Sequence, residues 1–230
     1  MIIAIDGPAG AGKSTVSKIL AQRLGFLYID TGAMYRALTL KSIEKKIDVK
    51  DAAALADMAR NSSIDLVNAG DGSLKVFLDG RDVSLEIREP RITKLVSDLA
   101  KIKDVRQIMV ELQRKLGRQK DSVLDGRDIG TVVFPDADKK FYIDAEFLIR
   151  VNRRYKELKV VNQDIIEKDV ESDLLNRDTI DSTREIAPLK KAEDAILLDT
   201  TNLSIEEVVD TILGTVLKSK QNCPLKRDTS

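Results

Sequence analysis

The sequence contains no histidine. That removes Ser-His-Asp and Cys-His catalysis and histidine metal sites, and leaves any chemistry to Lys, Arg, Asp and hydroxyl groups. Phosphoryl transfer tolerates such a set, because positioning and charge stabilisation carry most of it. A single cysteine, Cys223, rules out an internal disulfide framework and a cysteine-based zinc site, and suits a reducing cytoplasm. Net charge is absent too, since 38 Lys and Arg balance 38 Asp and Glu. No global field draws the chain to nucleic acid or membrane, so phosphate affinity has to be local. No apolar run approaches the roughly 18 residues of a membrane span, and Met1 leads straight into a strand instead of a basic, cleavable leader. The expectation is a soluble, cytoplasmic protein.

What is present starts at the N-terminus. Ile2-Ile3-Ala4-Ile5 reads as a buried strand and runs into Gly7-Pro8-Ala9-Gly10-Ala11-Gly12-Lys13-Ser14-Thr15. Gly7, Gly12, Lys13 and Ser14 match the phosphate-binding P-loop in register. The glycines let the backbone turn through positive φ and bring successive N–H groups onto anionic oxygens. A helix beginning near Lys13 points its positive end at the same charge. Lys13 is then placed to reach the β/γ-phosphates of ATP, and the Ser14 hydroxyl to join a Mg²⁺ that otherwise keeps its waters. A Gly-rich turn without a ligand needs none of these coincidences of spacing.

At 230 residues the chain suits one α/β domain with a modest insertion. Val16, Ile19, Leu20 and Leu24 recur at helical spacing up to Gly25; Phe26-Leu27-Tyr28-Ile29 is a strand, and Asp30 to Arg36 enters a second helix, with Thr31 a natural N-cap. Strand and helix alternating in this way predict a parallel sheet. From about Asn61 to Glu89 the pattern becomes a two-residue alternation around the turn Asn68-Ala69-Gly70-Asp71-Gly72, which predicts a small antiparallel insertion. Arg91 to Leu116 is helical again; Ser97 and Arg106 lie there, and helix positions of this kind are usually solvated. Ser122-Val123-Leu124 is a strand ending in Asp125-Gly126-Arg127-Asp128, so Arg127 and Asp128 fall where parallel sheets gather functional groups, although a local Arg–Asp pair explains them equally well. Phe141-Tyr142-Ile143 precedes a basic helix with Arg150, Arg153 and Arg154, which suits phosphate cover or a solvated face. The polar stretch Arg177 to Arg184 suits a lid, Ala195 to Leu198 a last strand, and Ser204 with Glu207 a capping box for the final helix. Asp125, Asp144 and Asp199 all follow apolar runs, so pattern alone does not choose the carboxylate beside the metal. None of the seven Asn is followed by Lys, so the guanine-reading Asn-Lys-x-Asp of GTPases is missing.

The P-loop, Asp30-Thr31-Gly32-Ala33-Met34-Tyr35-Arg36, the Val83-Ser84 to Ile87-Arg88 turn, Asp125-Gly126-Arg127-Asp128-Ile129-Gly130-Thr131-Val132-Val133-Phe134-Pro135-Asp136-Ala137 and Arg177 to Leu189 together resemble bacterial cytidylate kinases, nearly end to end. The resemblance implies a P-loop kinase fold that converts ATP and CMP (or dCMP) to ADP and CDP (or dCDP) with Mg²⁺. Its core would be residues 1–60 and 89–217, with a short lid within about 150–188, a nucleoside-monophosphate-binding insertion at 61–88 and a flexible tail at 218–230. It places Thr31, where many relatives have Ser, beside the acceptor nucleotide, with Arg36, Arg127 and Arg184 around its phosphate. Ser97, Arg106 and Asp128 fall on cytosine-reading positions, and Arg177 and Asp181 near ribose and phosphate. Gly7 to Thr15 would hold ATP. Lys13, Arg127, Arg184 and Arg153 are the expected catalytic cations. Large exposed apolar stripes are missing, and a monomer is expected.

Overall fold

Strand β1 (Ile2–Asp6) is buried on both faces, and its alternation sets the layers. Ile3 and Ile5 enter one apolar layer and Ala4 the other. The computed structural model describes residues 1–69, 72–161 and 163–221. After β1 come α1 (Lys13–Leu24), β2 (Leu27–Asp30), α2 (Thr31–Glu44) and α3 (Ala52–Arg60). The insertion follows as β3 (Ile64–Asn68), β4 (Leu74–Leu78) and β5 (Arg81–Asp82), then α4 (Pro90–Ala100) and α5 (Lys103–Gly117). The chain closes with β6 (Ser122–Gly126), β7 (Lys139–Asp144), α6 (Phe147–Val161), α7 (Glu167–Thr183), β8 (Ile196–Asp199) and α8 (Ile205–Gln221).

The main sheet has the order β2-β6-β1-β7-β8 and is parallel throughout, as the strand–helix alternation predicts. Its register sets Asp30 beside Asp125, Asp6 beside Gly126 and Asp144 beside Asp199, so five strands deliver their last residues to one edge. Strand order reverses at β1, and the P-loop leaves the sheet at that switch point, where ligands of open α/β sheets bind. On one face α2, α4 and α5 pack over Ala4, Ile29 and Leu124; on the other α1 and α8 pack over Ile3, Ile5, Val123 and Phe141.

The insertion is a three-stranded antiparallel sheet. Ile64, Val76 and Leu78 bury one side of it beneath α2, and Lys41 of α2 reaches Asp79 at 2.6 Å. Strand β5 is too short and polar, Arg81-Asp82, to show as an alternation. Gly70 and Asp71 of the expected turn lie outside the described residues.

Several local expectations are corrected. The N-cap of α2 is Asp30, whose carboxylate accepts from Ala33 N at 2.7 Å, while Thr31 turns away and donates to Asp125 O at 2.7 Å. The 91–116 stretch is helical as expected, as α4 and α5 with a break at Lys101-Ile102, and Arg177 to Thr183 forms the last turns of α7. The capping box of α8 holds, with Ser204 N donating to Glu207 Oε2 at 2.8 Å and Glu207 N to Ser204 Oγ at 3.3 Å. That helix runs through Gln221, and residues 222–230 of the expected tail lie outside the described residues. Among the described residues no helix is long and apolar enough to cross a membrane.

Candidate active site

The P-loop is tightly built. At Gly7 (φ +148°) a Cβ would sit 1.9 Å from the carbonyl oxygen of Ile143, so backbone conformation and space both demand glycine. Gly10 and Gly12 also have positive φ, as expected. Lys13 is nearly buried and donates from Nζ to Pro8 O at 2.6 Å. Burial, followed by the nearby Arg127 guanidinium, pulls its pKa down to about 7. The Ser14 hydroxyl donates to Asp125 Oδ2 at 2.8 Å, and Tyr28 Oη donates to Asp125 Oδ1 at 2.9 Å. Burial, then the neighbouring Asp30, pushes Asp125 up to about 6. Of the three strand-end carboxylates, Asp125 is the one bonded to the P-loop hydroxyl. Asp144 lies 3.8 Å from Arg150 Nε, and Asp199 caps Thr201.

Arg150 of α6 and Asp178 of α7 grip the loop from outside. Ala9 N donates to Asp178 Oδ1 at 3.2 Å, Ala9 O accepts from Arg150 Nη1 at 2.9 Å, and Arg150 also pairs with Asp178. Ala9 itself packs on Val170 and Leu174 of α7. Neither Arg150 nor Asp178 carries a motif of its own, and the only sequence signal was their place in a basic helix and a polar lid.

Beside the loop, a cleft of about 60 Å³ is lined by Thr31, Tyr35, Ser97, Arg106, Arg127, Asp128, Arg177, Asp181 and Arg184 among others. Segments distant in sequence therefore converge as the resemblance implies. Ser97 and Arg106 are buried, not solvated, because α4 and α5 turn them toward the sheet edge. The local Arg127–Asp128 pair does not form. Asp128 Oδ2 instead accepts from Arg106 Nη2 at 2.5 Å, and Arg127 Nε donates to Asp181 Oδ2 at 2.9 Å. Arg184 lies 3.6 Å from both Asp128 and Asp181.

The cleft holds more buried donors than it satisfies. Among the described residues, Arg106 Nε, Arg177 Nε, Arg184 Nη2 and Tyr35 Oη have no hydrogen-bond partner, an arrangement that costs free energy unless a ligand completes it. Burial, then Arg127, pulls Arg177 down to about 10, with Arg154 and Arg36 adding to the effect. Asp181 pulls the other way, so positive charge crowds this side of the cleft without full neutralisation. Burial raises Asp181, but Arg127, Arg184 and Arg177 outweigh it and hold that carboxyl below its ordinary range.

Two expected residues stand apart from the cleft. Arg36 pairs with Asp30 at 3.1 Å, at the rim of the arginine group. Arg153 donates to Thr200 O at 2.6 Å and Thr200 Oγ1 at 3.1 Å, beyond β8, which ties it to the sheet edge and not to the cleft.

The cytidylate kinase family model matches residues 3–218. The chain is 49% identical over 224 residues to a cytidylate kinase of Lactobacillus johnsonii, covering 96% of both chains. It is 51% identical over 217 residues to a cytidylate kinase of Caldanaerobacter subterraneus subsp. tengcongensis, covering 94% of this chain and 95% of that one. Among solved structures, an uncharacterized protein from Eubacterium ventriosum aligns over 94% of this chain and 98% of its own with a TM-score of 0.52 at 14% identity, a likeness of fold alone. By its family match and the near-complete span of its relatives, the chain belongs to the cytidylate kinase family.

Proposed function

We propose that the protein transfers the γ-phosphoryl group of ATP to CMP or dCMP, giving ADP and CDP or dCDP, and does so as a cytoplasmic monomer. The observation that carries this reading is the cleft of unpartnered donors around Arg106, Arg177 and Arg184, set at the same sheet edge as the P-loop.

A nucleoside monophosphate has a second phosphate pKa of about 6, so at pH 7 its attacking oxygen is mostly deprotonated. A general base is not required, and the missing histidine matters little. The acceptor oxygen forms its bond to the γ-phosphorus as the bond to the leaving ADP oxygen breaks. The protein's task is to bring two polyanions into line and neutralise them. Lys13 and the P-loop amides take the ATP phosphates; Arg127 and Arg184 take the acceptor phosphate, with Arg36 at the rim adding charge; Asp181 and Arg177 take its ribose side. Asp128 accepts from the cytosine amino group, and Arg106 and Ser97 meet the remaining base edge. The lid, α6 and α7, excludes water that would otherwise accept the phosphoryl group.

Mg²⁺ suits the donors present. The Ser14 hydroxyl and the Asp125 carboxylate form a hard-oxygen pair next to the loop, and Mg²⁺ takes one or two such ligands with waters and phosphates. Bound there, it would neutralise charge between the β- and γ-phosphates.

A panel of CMP, dCMP, UMP, AMP and shikimate with ATP and Mg²⁺ tests the reading. Multiple turnover on CMP supports it. Preference for another acceptor would reassign the cleft, and ATP binding without turnover would make the protein a regulatory module.

A further inference from the structure

Asp6 is not among the residues that line the cleft. It ends β1 immediately before Gly7, is 4% exposed, and accepts from Ile129 N at 2.8 Å and Gly130 N at 2.7 Å. Burial pushes its pKa up to about 7, against the pull of those two bonds. A buried carboxylate is a costly way to hold backbone, since desolvation opposes it and an apolar residue would suit the core. What it holds explains the cost. Ile129 and Gly130 open a π-helical turn, Ile129–Val133, and the residues directly before them are Arg127 and Asp128, which line the cleft. Asp6 lies 123 residues away in the chain, on the strand that delivers the P-loop.

We propose that Asp6 is a positioning residue for base selection: by fixing Ile129 and Gly130 it sets where Asp128 stands against the base of the acceptor, and it does so from the strand that carries the ATP site. This rests on the CMP reading of the cleft. A rival role is purely electrostatic, because Asp6 also lies near Lys13 and its charge favours the protonated amine. The two roles separate cleanly. Lys13 serves the phosphates of ATP, the donor in both reactions, so an effect through Lys13 lowers CMP and UMP turnover equally, whereas a displaced Asp128 lowers discrimination between them.

Asp6→Asn tests this. It keeps the size but replaces one accepting oxygen with an amino group facing an N–H donor. The expected result is a kcat/KM ratio of CMP to UMP narrowed about tenfold or more, with KM for ATP within about twofold of wild type. Equal loss on both acceptors, or an unchanged ratio, would overturn the proposal. Should Asp6→Asn not fold by circular dichroism, Asp6→Ser, whose hydroxyl can still accept, is measured in the same way; failure of both to fold makes Asp6 a residue of the core and also overturns it. A wild-type protein inactive on CMP would instead overturn the reading of the cleft.

Discussion

Arg106, on α5, and Asp128, in the turn after β6, meet at 2.5 Å inside the cleft, and both are almost wholly buried. The pair is not closed on itself. Among the described residues Arg106 Nε has no hydrogen-bond partner, and the guanidinium lies 5.7 Å from the centre of the Tyr35 ring. Two buried charges that satisfy each other only in part are poor stabilisers and good recognisers. Donor and acceptor therefore stand preformed side by side at the cleft.

Lys13→Ala should leave the fold intact and lower turnover by about 10²-fold or more, because it removes charge from the transition state and not packing from the core. Steady-state rates with circular dichroism check it. Near-normal turnover in a folded variant would take the P-loop lysine out of the mechanism.

Lys13 also sets a pH dependence. Its folded pKa is lowered to about 7, so between about pH 7 and 10 the unfolded chain binds a proton that the folded chain does not. Stability contributed by this site accordingly rises with pH across that window. Urea unfolding of ligand-free protein at pH 7 and pH 9.5 should show the wild type gaining on Lys13→Ala by on the order of 1–3 kcal/mol. A constant difference between the two proteins would show that Lys13 stays charged.

Asp181 combines a structural and a ligand role. Its removal leaves Arg127 and Arg184 short of a partner, and breaking a buried pair typically costs about 3–5 kcal/mol. Because its folded pKa is depressed, that contribution is present above about pH 4 and fades as pH falls through the folded value. Asp181→Ala should melt lower at pH 7 without ligand, show a smaller deficit as pH falls below about 4, and raise KM for CMP while KM for ATP stays within about twofold. Equal losses on both substrates would leave only the structural role.

The layered sheet and the P-loop were legible because they rest on local regularities: a buried strand, glycines at fixed spacing, and helical periodicity ending at Gly25. The cleft was legible only through the family resemblance. Ser97 and Arg106 look like surface helix positions, and what buries them is the packing of α4 and α5, which no single segment encodes. Asp30 and Thr31 exchanged roles because the cap was decided by which side chain had a distant partner, the Asp125 carbonyl. Arg127 likewise bypassed its neighbour Asp128 for Asp181, 54 residues away. Asp6 escaped notice, and Arg150 and Asp178 were read only as part of a basic helix and a polar stretch, because each acts through contacts more than 25 residues distant.

The most direct measurement compares kcat/KM for CMP and UMP in wild type and in Arg106→Met. Cytosine offers an amino donor beside ring-nitrogen and carbonyl acceptors, whereas uracil offers a carbonyl and a ring N–H. A carboxylate at Asp128 only accepts and Arg106 only donates, so uracil sets acceptor against acceptor and donor against donor. Sites that hydrogen-bond a polar edge discriminate by about 10⁴-fold or more, because the wrong ligand leaves buried groups unpaired. The wild type should therefore prefer CMP strongly, and Arg106→Met should lower the CMP value by roughly 2 kcal/mol or more while narrowing the ratio. A wild type indifferent between the two nucleotides, or a variant that loses equally on both, would contradict the account.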